Sequence, residues 1–258
     1  MTPDARDDLF RLDGQAALIT GGGRGLGRAM TLALARAGAD CVIVARRKDD
    51  LAETERQVQA LGRRCFPVPG DVTDPKVAEH AVETAVRECG RLDVLVNNAG
   101  ALTMGPIDET ELDVWQRVLD VNLTGTFLFS RAAAKVFKAQ QSGKIINVSS
   151  VLGRLGVPEA SAYCTAKGGV ILFTRSLGAE LAPHGIHVNA IAPGLFDTDM
   201  SKGVFENEEA YAAVMSGVPR GVHGVPGDLD GTVVYLASRA SDHMVGQTLH
   251  IDGGSSIT

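Results

Sequence analysis

An alternation restricts the fold of this chain more than any other feature. From Ala16 onward, short β-branched and apolar runs are separated by longer segments of helical period, each junction marked by Gly, Pro, Asn or Asp. Strands joined through helices run parallel, because the helix carries the chain back to the end of the sheet where the previous strand began. The strand candidates are Ala16–Thr20, Asp40–Ala45, Arg64–Pro67, Val94–Asn97, Lys144–Ser149, His187–Ala192 and Gln247–Ile251. They predict an α/β fold with one doubly wound, seven-stranded parallel sheet and helices on both faces. Helices are expected to begin near Gly25, Lys48, Asp74, Glu111, Ser161 and Asp228, with one unbroken helix over Glu111–Lys138. In the first helix Leu26, Ala29, Met30, Ala33 and Ala37 form a stripe that faces the sheet. Asp74-Pro75 reads as an N-cap followed by proline in the first turn, and Gly38 as a helix stop.

No repeat, low-complexity tract or linker divides the 258 residues, a length that one α/β domain commonly reaches. A single domain over 1–258 is expected, with 1–11 as an N-terminal extension. Gly194–Pro219 breaks the alternation and reads as a lid over a substrate site. A net charge of −6, with no basic cluster longer than Ala45-Arg46-Arg47-Lys48, argues against nucleic acid or an anionic membrane as partner. Cys41, Cys65, Cys89 and Cys164 fall singly, without metal-ligand spacing, so reduced thiols and no metal site are expected. Met1–Arg11 has no apolar core of a signal peptide, and no apolar run approaches the roughly eighteen residues of a membrane span. A cytoplasmic protein is the expectation.

The first strand enters Gly21-Gly22-Gly23-Arg24-Gly25-Leu26-Gly27 and then the amphipathic helix. Glycines here allow a sharp turn, let a pyrophosphate approach backbone N–H groups, and let helix and strand pack closely. The helix N-terminus then faces the anion, so the segment reads as a dinucleotide site. NAD-selective sites of this type carry a carboxylate at the end of the second strand, where it accepts from the ribose 2′-OH. Here that strand ends in Ala45-Arg46-Arg47. Arg46 offers a planar donor fork for a 2′-phosphate, and Arg24 in the glycine turn adds a second positive charge. NADP(H) is therefore expected in preference to NAD(H), although NAD(H) can occupy the same cradle.

Tyr163 and Lys167 stand at i and i+4, on one face of a helix. A phenol is a poor base at neutral pH, but a neighbouring ammonium favours the phenolate, which predicts a lowered Tyr163 pKa and proton exchange with a substrate oxygen. Ser150, at the end of the fifth strand, is suited to hydrogen-bond the same oxygen. A lone Tyr-x-x-x-Lys would more often be a surface pair.

Taken in order and spacing, Thr20-Gly21-x-x-x-Gly25-x-Gly27, Asn97-Asn98-Ala99-Gly100, Asn122, Ser150, Tyr163-x-x-x-Lys167 and Pro193-Gly194 closely resemble the short-chain dehydrogenase/reductase family, over about Leu12 to Gly254. The resemblance implies a single Rossmann domain, a homotetramer, and a catalytic tetrad of Asn122, Ser150, Tyr163 and Lys167. It assigns Tyr163 as acid/base, Lys167 to depress the tyrosine pKa and bind the nicotinamide ribose, and Ser150 to orient substrate. Asn122 would hold the helix and a water leading to Lys167. Gly21, Gly23, Arg24, Gly25, Leu26, Gly27 and Arg46 would contact the phosphates, Asp71 and Val72 the adenine, and Asn98, Ala99 and Gly100 the adenosine ribose. Pro193, Gly194 and Thr198 would lie against the nicotinamide end.

The substrate expectation is a secondary alcohol or ketone on a small polar molecule. The Leu9–Gly14 opening and the Arg24-Gly25-Leu26-Gly27 turn resemble members acting on sugar acids, such as gluconate 5-dehydrogenases. Similarity to 3-oxoacyl-[acyl-carrier-protein] reductases is nearly as good, and a thin basic patch of Arg131, Lys135 and Lys138 would suit an acidic carrier or coenzyme A thioester. A third reading is a non-catalytic dinucleotide-binding scaffold or sensor. Arg154 has two open roles, meeting a substrate carboxylate or pairing with Glu159 on the surface.

Overall fold

The computed structural model describes residues 8–257. Residues 1–7 of the expected N-terminal extension fall outside them. All seven strands lie in one parallel sheet: β1 (Ala16–Thr20), β2 (Asp40–Ala45), β3 (Cys65–Pro69), β4 (Val94–Asn97), β5 (Gly143–Val148), β6 (Ile186–Pro193) and β7 (Thr248–Ile251), in the order β3-β2-β1-β4-β5-β6-β7.

Successive strand residues point to opposite faces, and both faces of this sheet are covered, so the strands are apolar throughout. Ala17, Ile19, Cys41, Ile43, Val94, Val96, Ile146 and Val148 face α1 (Gly25–Arg36), α2 (Lys48–Ala60) and α9 (Asp230–Ala237). Leu18, Val42, Val44, Leu95, Ile145, Ile186 and Val188 face α3 (Pro75–Cys89), α5 (Gly125–Gln140) and α6 (Ser161–Leu181). Phe129 and Phe137 of α5 are the largest fully buried side chains. Burial raises the Cys41 thiol well above its usual range and pushes Cys65 up to about 12, so these neighbours on β2 and β3 are unreactive at neutral pH.

The ends of β5, β6 and β7 differ from the sequence expectations by at most one residue each, and three larger differences shape the fold. The third strand runs from Cys65 to Pro69 and carries Pro67 and Pro69, which an edge strand tolerates because one side needs no donor. The helix expected over Glu111–Lys138 is interrupted: α4 (Leu112–Leu119) passes through a π-turn at Asp120–Thr124 into α5. The widened turn contains Asn122, whose Nδ2 donates to the Val118 and Ala101 carbonyls. The irregular stretch after β6 contains two short helices, α7 (Lys202–Phe205) and α8 (Glu208–Ser216). They are joined to His223 by the Phe205 and Tyr211 rings, with Tyr211 Oη 2.9 Å from His223 Nδ1.

The strand order reverses beside β1, between β1 and β4. In a doubly wound sheet a crevice opens at that point, beyond the carboxyl ends of the strands.

Candidate active site

One wall of this crevice is the glycine turn. Gly21 and Gly25 adopt left-handed backbone conformations, with φ of +67° and +53°. A Cβ on Gly27 would sit 2.1 Å from the Gly21 carbonyl oxygen and 2.5 Å from Asn98 Nδ2, so only glycine permits this approach of α1 to the turn. The turn is held from below by Thr20, whose Oγ1 accepts from the N–H groups of Asn98 (2.9 Å) and Ala99 (3.0 Å), while Asn98 Nδ2 donates to the Thr20 carbonyl. The first turn of α1 has neither a side-chain cap nor an acidic residue. Its N–H donors are open to an anion, which fits a dinucleotide pyrophosphate.

The opposite wall comes from the end of β5 and the start of α6. Asn122 is fully buried, and Ser150, Tyr163 and Lys167 are all less than a tenth exposed. Ser150 lies beside Tyr163, and its Oγ accepts from Leu152 N–H at 3.1 Å, starting the turn at Val151–Gly153. Lys167 Nζ donates to the Val148 carbonyl at 2.8 Å and lies 5.7 Å from the centroid of the Tyr163 ring. No carboxylate among the described residues pairs with this buried ammonium, leaving donors suited to ribose hydroxyls. A Cβ on Gly100 would lie 2.9 Å from Asn122 Oδ1 and 3.6 Å from Lys167 Nζ, so the Asn-Ala-Gly turn fits between these side chains. Val118, Ala162, Leu102, Trp115 and Leu152 pack around Tyr163.

Electrostatics correct one expectation. Burial pushes Tyr163 up to about 12, against the Ser150 hydrogen bond that pulls it down, and the ammonium does not lower it. Lys167 Nζ is directed at the Val148 carbonyl, and burial lowers its own pKa to about 8. With Nζ aimed at a carbonyl and 5.7 Å from the ring centroid, the lysine does not bond the phenol oxygen. Tyr163 therefore holds its proton at neutral pH.

On the adenosine side, burial opposes ionisation of Asp71. Hydrogen bonds from the Thr73 N–H and hydroxyl, with the charges of Arg46 and Arg117 nearby, nevertheless hold the carboxyl below its usual range. Arg46 is exposed and makes no ion pair among the described residues. Arg24 Nη1 donates to Asp199 Oδ2 at 2.9 Å, so its charge is partly engaged by a carboxylate. Val72 packs on Gly125 at the head of α5, Gly194 abuts Asp252, and Thr198 lies over Gly25. Pro193 is the last residue of β6.

Sequence reasoning passed over the Thr20 hydroxyl, Asp199, Arg117 and the Val148 carbonyl. Each acts through a partner far away in the chain, so local spacing carries no sign of it. Arg154 makes no ion pair with Glu159 or with any other described residue. Glu159 instead takes a left-handed conformation at φ +63°, and its carbonyl accepts from Gly105 N–H, joining the loops after β4 and β5. No group of three or more His, Cys, Asp or Glu residues able to hold a metal lies among the described residues, and no described helix is long and apolar enough to cross a membrane.

Open helix N–H donors face a proton-bearing phenol across the switch point of this sheet, which defines a dinucleotide-dependent oxidoreductase. The family model for short chain dehydrogenases matches residues 15–209, and the chain belongs to that family. It is 40% identical over 246 residues to a 2-dehydro-3-deoxy-D-gluconate 5-dehydrogenase of Escherichia coli K12, covering 95% of this chain and 96% of that protein. It is 38% identical to a 3-oxoacyl-[acyl-carrier-protein] reductase of Synechocystis, covering 95% and 98%. Among solved structures, a gluconate 5-dehydrogenase from Burkholderia cenocepacia in complex with NADP and tartrate superposes with a TM-score of 0.93 at 37% identity, covering 97% of this chain and 98% of that one.

Proposed function

We propose that this chain is an NADP(H)-dependent dehydrogenase or ketoreductase acting on a small polar hydroxy or keto compound, of which a sugar acid is the leading class. The observation that carries the reading is the burial of Ser150, Tyr163 and Lys167 together, with Lys167 Nζ 5.7 Å from the Tyr163 ring centroid, opposite an uncapped α1 N-terminus. When bound, the nicotinamide supplies or accepts the hydride.

The chain's own residues then have distinct tasks. The α1 N–H groups and the glycine turn hold the pyrophosphate, and Arg46 meets the 2′-phosphate. Asp71 and Val72 border the adenine, and Asn98, Ala99 and Gly100 the adenosine ribose. Pro193, Gly194 and Thr198 line the nicotinamide end. Lys167 donates to the nicotinamide ribose, and Asn122 holds the π-turn behind it. Ser150 orients the substrate oxygen, to which Tyr163, protonated at neutral pH, gives its proton in reduction. Excluding water from this pocket strengthens each of these interactions.

Arg154, an exposed cation four residues beyond Ser150 with no ion pair among the described residues, supports a substrate carrying a carboxylate. The relatives that are gluconate and 2-dehydro-3-deoxy-D-gluconate 5-dehydrogenases support that class. The carrier-protein reading is weaker: Lys138 pairs with Glu180 at 3.5 Å and Arg131 sits over the Phe127 ring, so the basic patch is partly engaged. Residues 194–219 serve as the lid of a single domain spanning 1–258. The partly exposed β7 edge suits a second copy of the chain, and the proposed assembly is a cytoplasmic homotetramer.

The test is NADPH oxidation against a panel of keto sugar acids, neutral keto sugars, acetoacetyl thioesters and simple ketones. The highest kcat/KM is expected for a keto sugar acid, with that advantage reduced in Arg154→Ala. A preference for the thioester would favour the carrier reading, and no turnover with any of them would favour the sensor.

A further inference from the structure

The cations around the glycine turn are unequally committed. Arg28 donates to the Gly23 carbonyl and to Thr54 Oγ1, Arg47 pairs with Asp50 at 3.2 Å, and Arg24 pairs with Asp199 at 2.9 Å. Arg46 has no such partner among the described residues. The Arg24–Asp199 pair joins positions 175 residues apart and links the cofactor cradle to the segment after β6.

Bonds made by the flanking residues shape the segment that carries Asp199. Ser201 Oγ accepts from Thr198 N–H at 3.1 Å and donates to the Phe196 carbonyl, and Asp197 N–H donates to the Gly224 carbonyl at 2.9 Å. Phe196 is buried, and the Thr198 methyl lies 3.7 Å from where a Cβ on Gly25 would stand. The carboxylate is thus presented to the glycine turn by a built loop. The pair itself is half to two-thirds exposed, with side-chain accessibilities of 51% and 67%, so it is weak enough to exchange.

We propose that Asp199 is a specificity-determining residue for the cofactor. Its carboxylate occupies the Arg24 guanidinium that a 2′-phosphate needs, so NADP(H) must displace Asp199 while NAD(H), with a neutral hydroxyl there, leaves the pair intact. The inference rests on the proposed use of NADP(H), with Arg24 as one of its phosphate ligands. Asp199 takes the Nη1 donor of Arg24, and a phosphate that grips the guanidinium bidentately through that nitrogen competes with the carboxylate for it. Asp199 moderates the NADP(H) preference that Arg46 and Arg24 create, and release of Asp199 ties lid position to the cofactor bound.

Calorimetric titration of NADP+ and NAD+ into the wild-type chain, Asp199→Asn, Arg24→Ala and the double variant tests this. Asp199→Asn is expected to tighten NADP+ by about three- to five-fold, the scale of an exposed ion pair, and to leave NAD+ unchanged. In the Arg24→Ala background the same substitution should leave NADP+ unchanged, because the guanidinium in dispute is gone. The inference is overturned if Asp199→Asn leaves NADP+ binding unaltered, weakens it, shifts both cofactors equally, or acts as strongly without Arg24. The underlying cofactor reading fails separately, and takes the inference with it, if the wild-type chain binds NAD+ as tightly as NADP+ and neither Arg24→Ala nor Arg46→Ala changes either.

Discussion

Replacing Lys167 with methionine should stabilise the cofactor-free protein at neutral pH and destabilise it in alkali. The ammonium is 3% exposed, has no carboxylate partner among the described residues, and donates to the Val148 carbonyl. Burial lowers its pKa from the ordinary 10.5 to about 8. At ~1.4 kcal/mol for each pH unit, that drop corresponds to a folding penalty of about 3 kcal/mol at pH 7. Because the folded-state value is the lower one, the penalty is present in full below pH 8 and disappears as pH rises towards 10.5. Methionine fills similar volume without charge but forfeits the hydrogen bond, which costs about 1 kcal/mol. Lys167→Met should therefore be more stable by about 2 kcal/mol at pH 7 and less stable by about 1 kcal/mol above pH 10.5. Tyr163 acts in the opposite sense: its folded value near 12 exceeds the ordinary 10.0, so its contribution is present below pH 10 and lost above it. The tyrosine is common to both proteins and cancels in the difference. Urea unfolding at intervals from pH 7 to 10.5, with equal m-values for the two proteins, measures this directly. A stability difference that stays constant across that range would refute the assignment of a desolvated ammonium. The variant should at the same time lose turnover, a trade of stability for function.

Tyr163→Phe removes the transferable proton and keeps the ring packing, so kcat should fall by about 10²–10⁴ while NADP+ affinity by calorimetry stays within about two-fold. Gly27→Ala forces a Cβ to 2.1 Å from the Gly21 carbonyl oxygen; chemical denaturation should show a loss of about 3 kcal/mol, with NADP+ no longer protecting the protein. Arg46→Ala should weaken NADP+ by about ten-fold and leave NAD+ unaltered, since only the former places a phosphate beside that position.

The strands were legible because two covered sheet faces demand continuous apolar runs, bounded here by Gly, Pro, Asn or Asp and spaced by longer helical segments. The glycine turn was legible because its geometry excludes a Cβ, and Tyr163 and Lys167 because helix periodicity alone brings them to one face. The interruption of the helix at Asn122 was not legible. Its period is nearly helical, and what widens the turn is the Ala101 carbonyl, which the sheet delivers from another segment. The ends of β3 were misjudged for a related reason, since Pro67 and Pro69 are acceptable only at a sheet edge, and edge position depends on strand order.

Local chemistry thus determined the alternating α/β pattern and the glycine turn, while the phenol, lysine and serine were picked out by the order and spacing of the family's motifs. Only the tertiary structure decided their protonation and pairing. Solvation and partner choice depend on which distant groups surround a side chain, so Lys167 meets a backbone carbonyl without a counter-ion, and Arg24 meets Asp199.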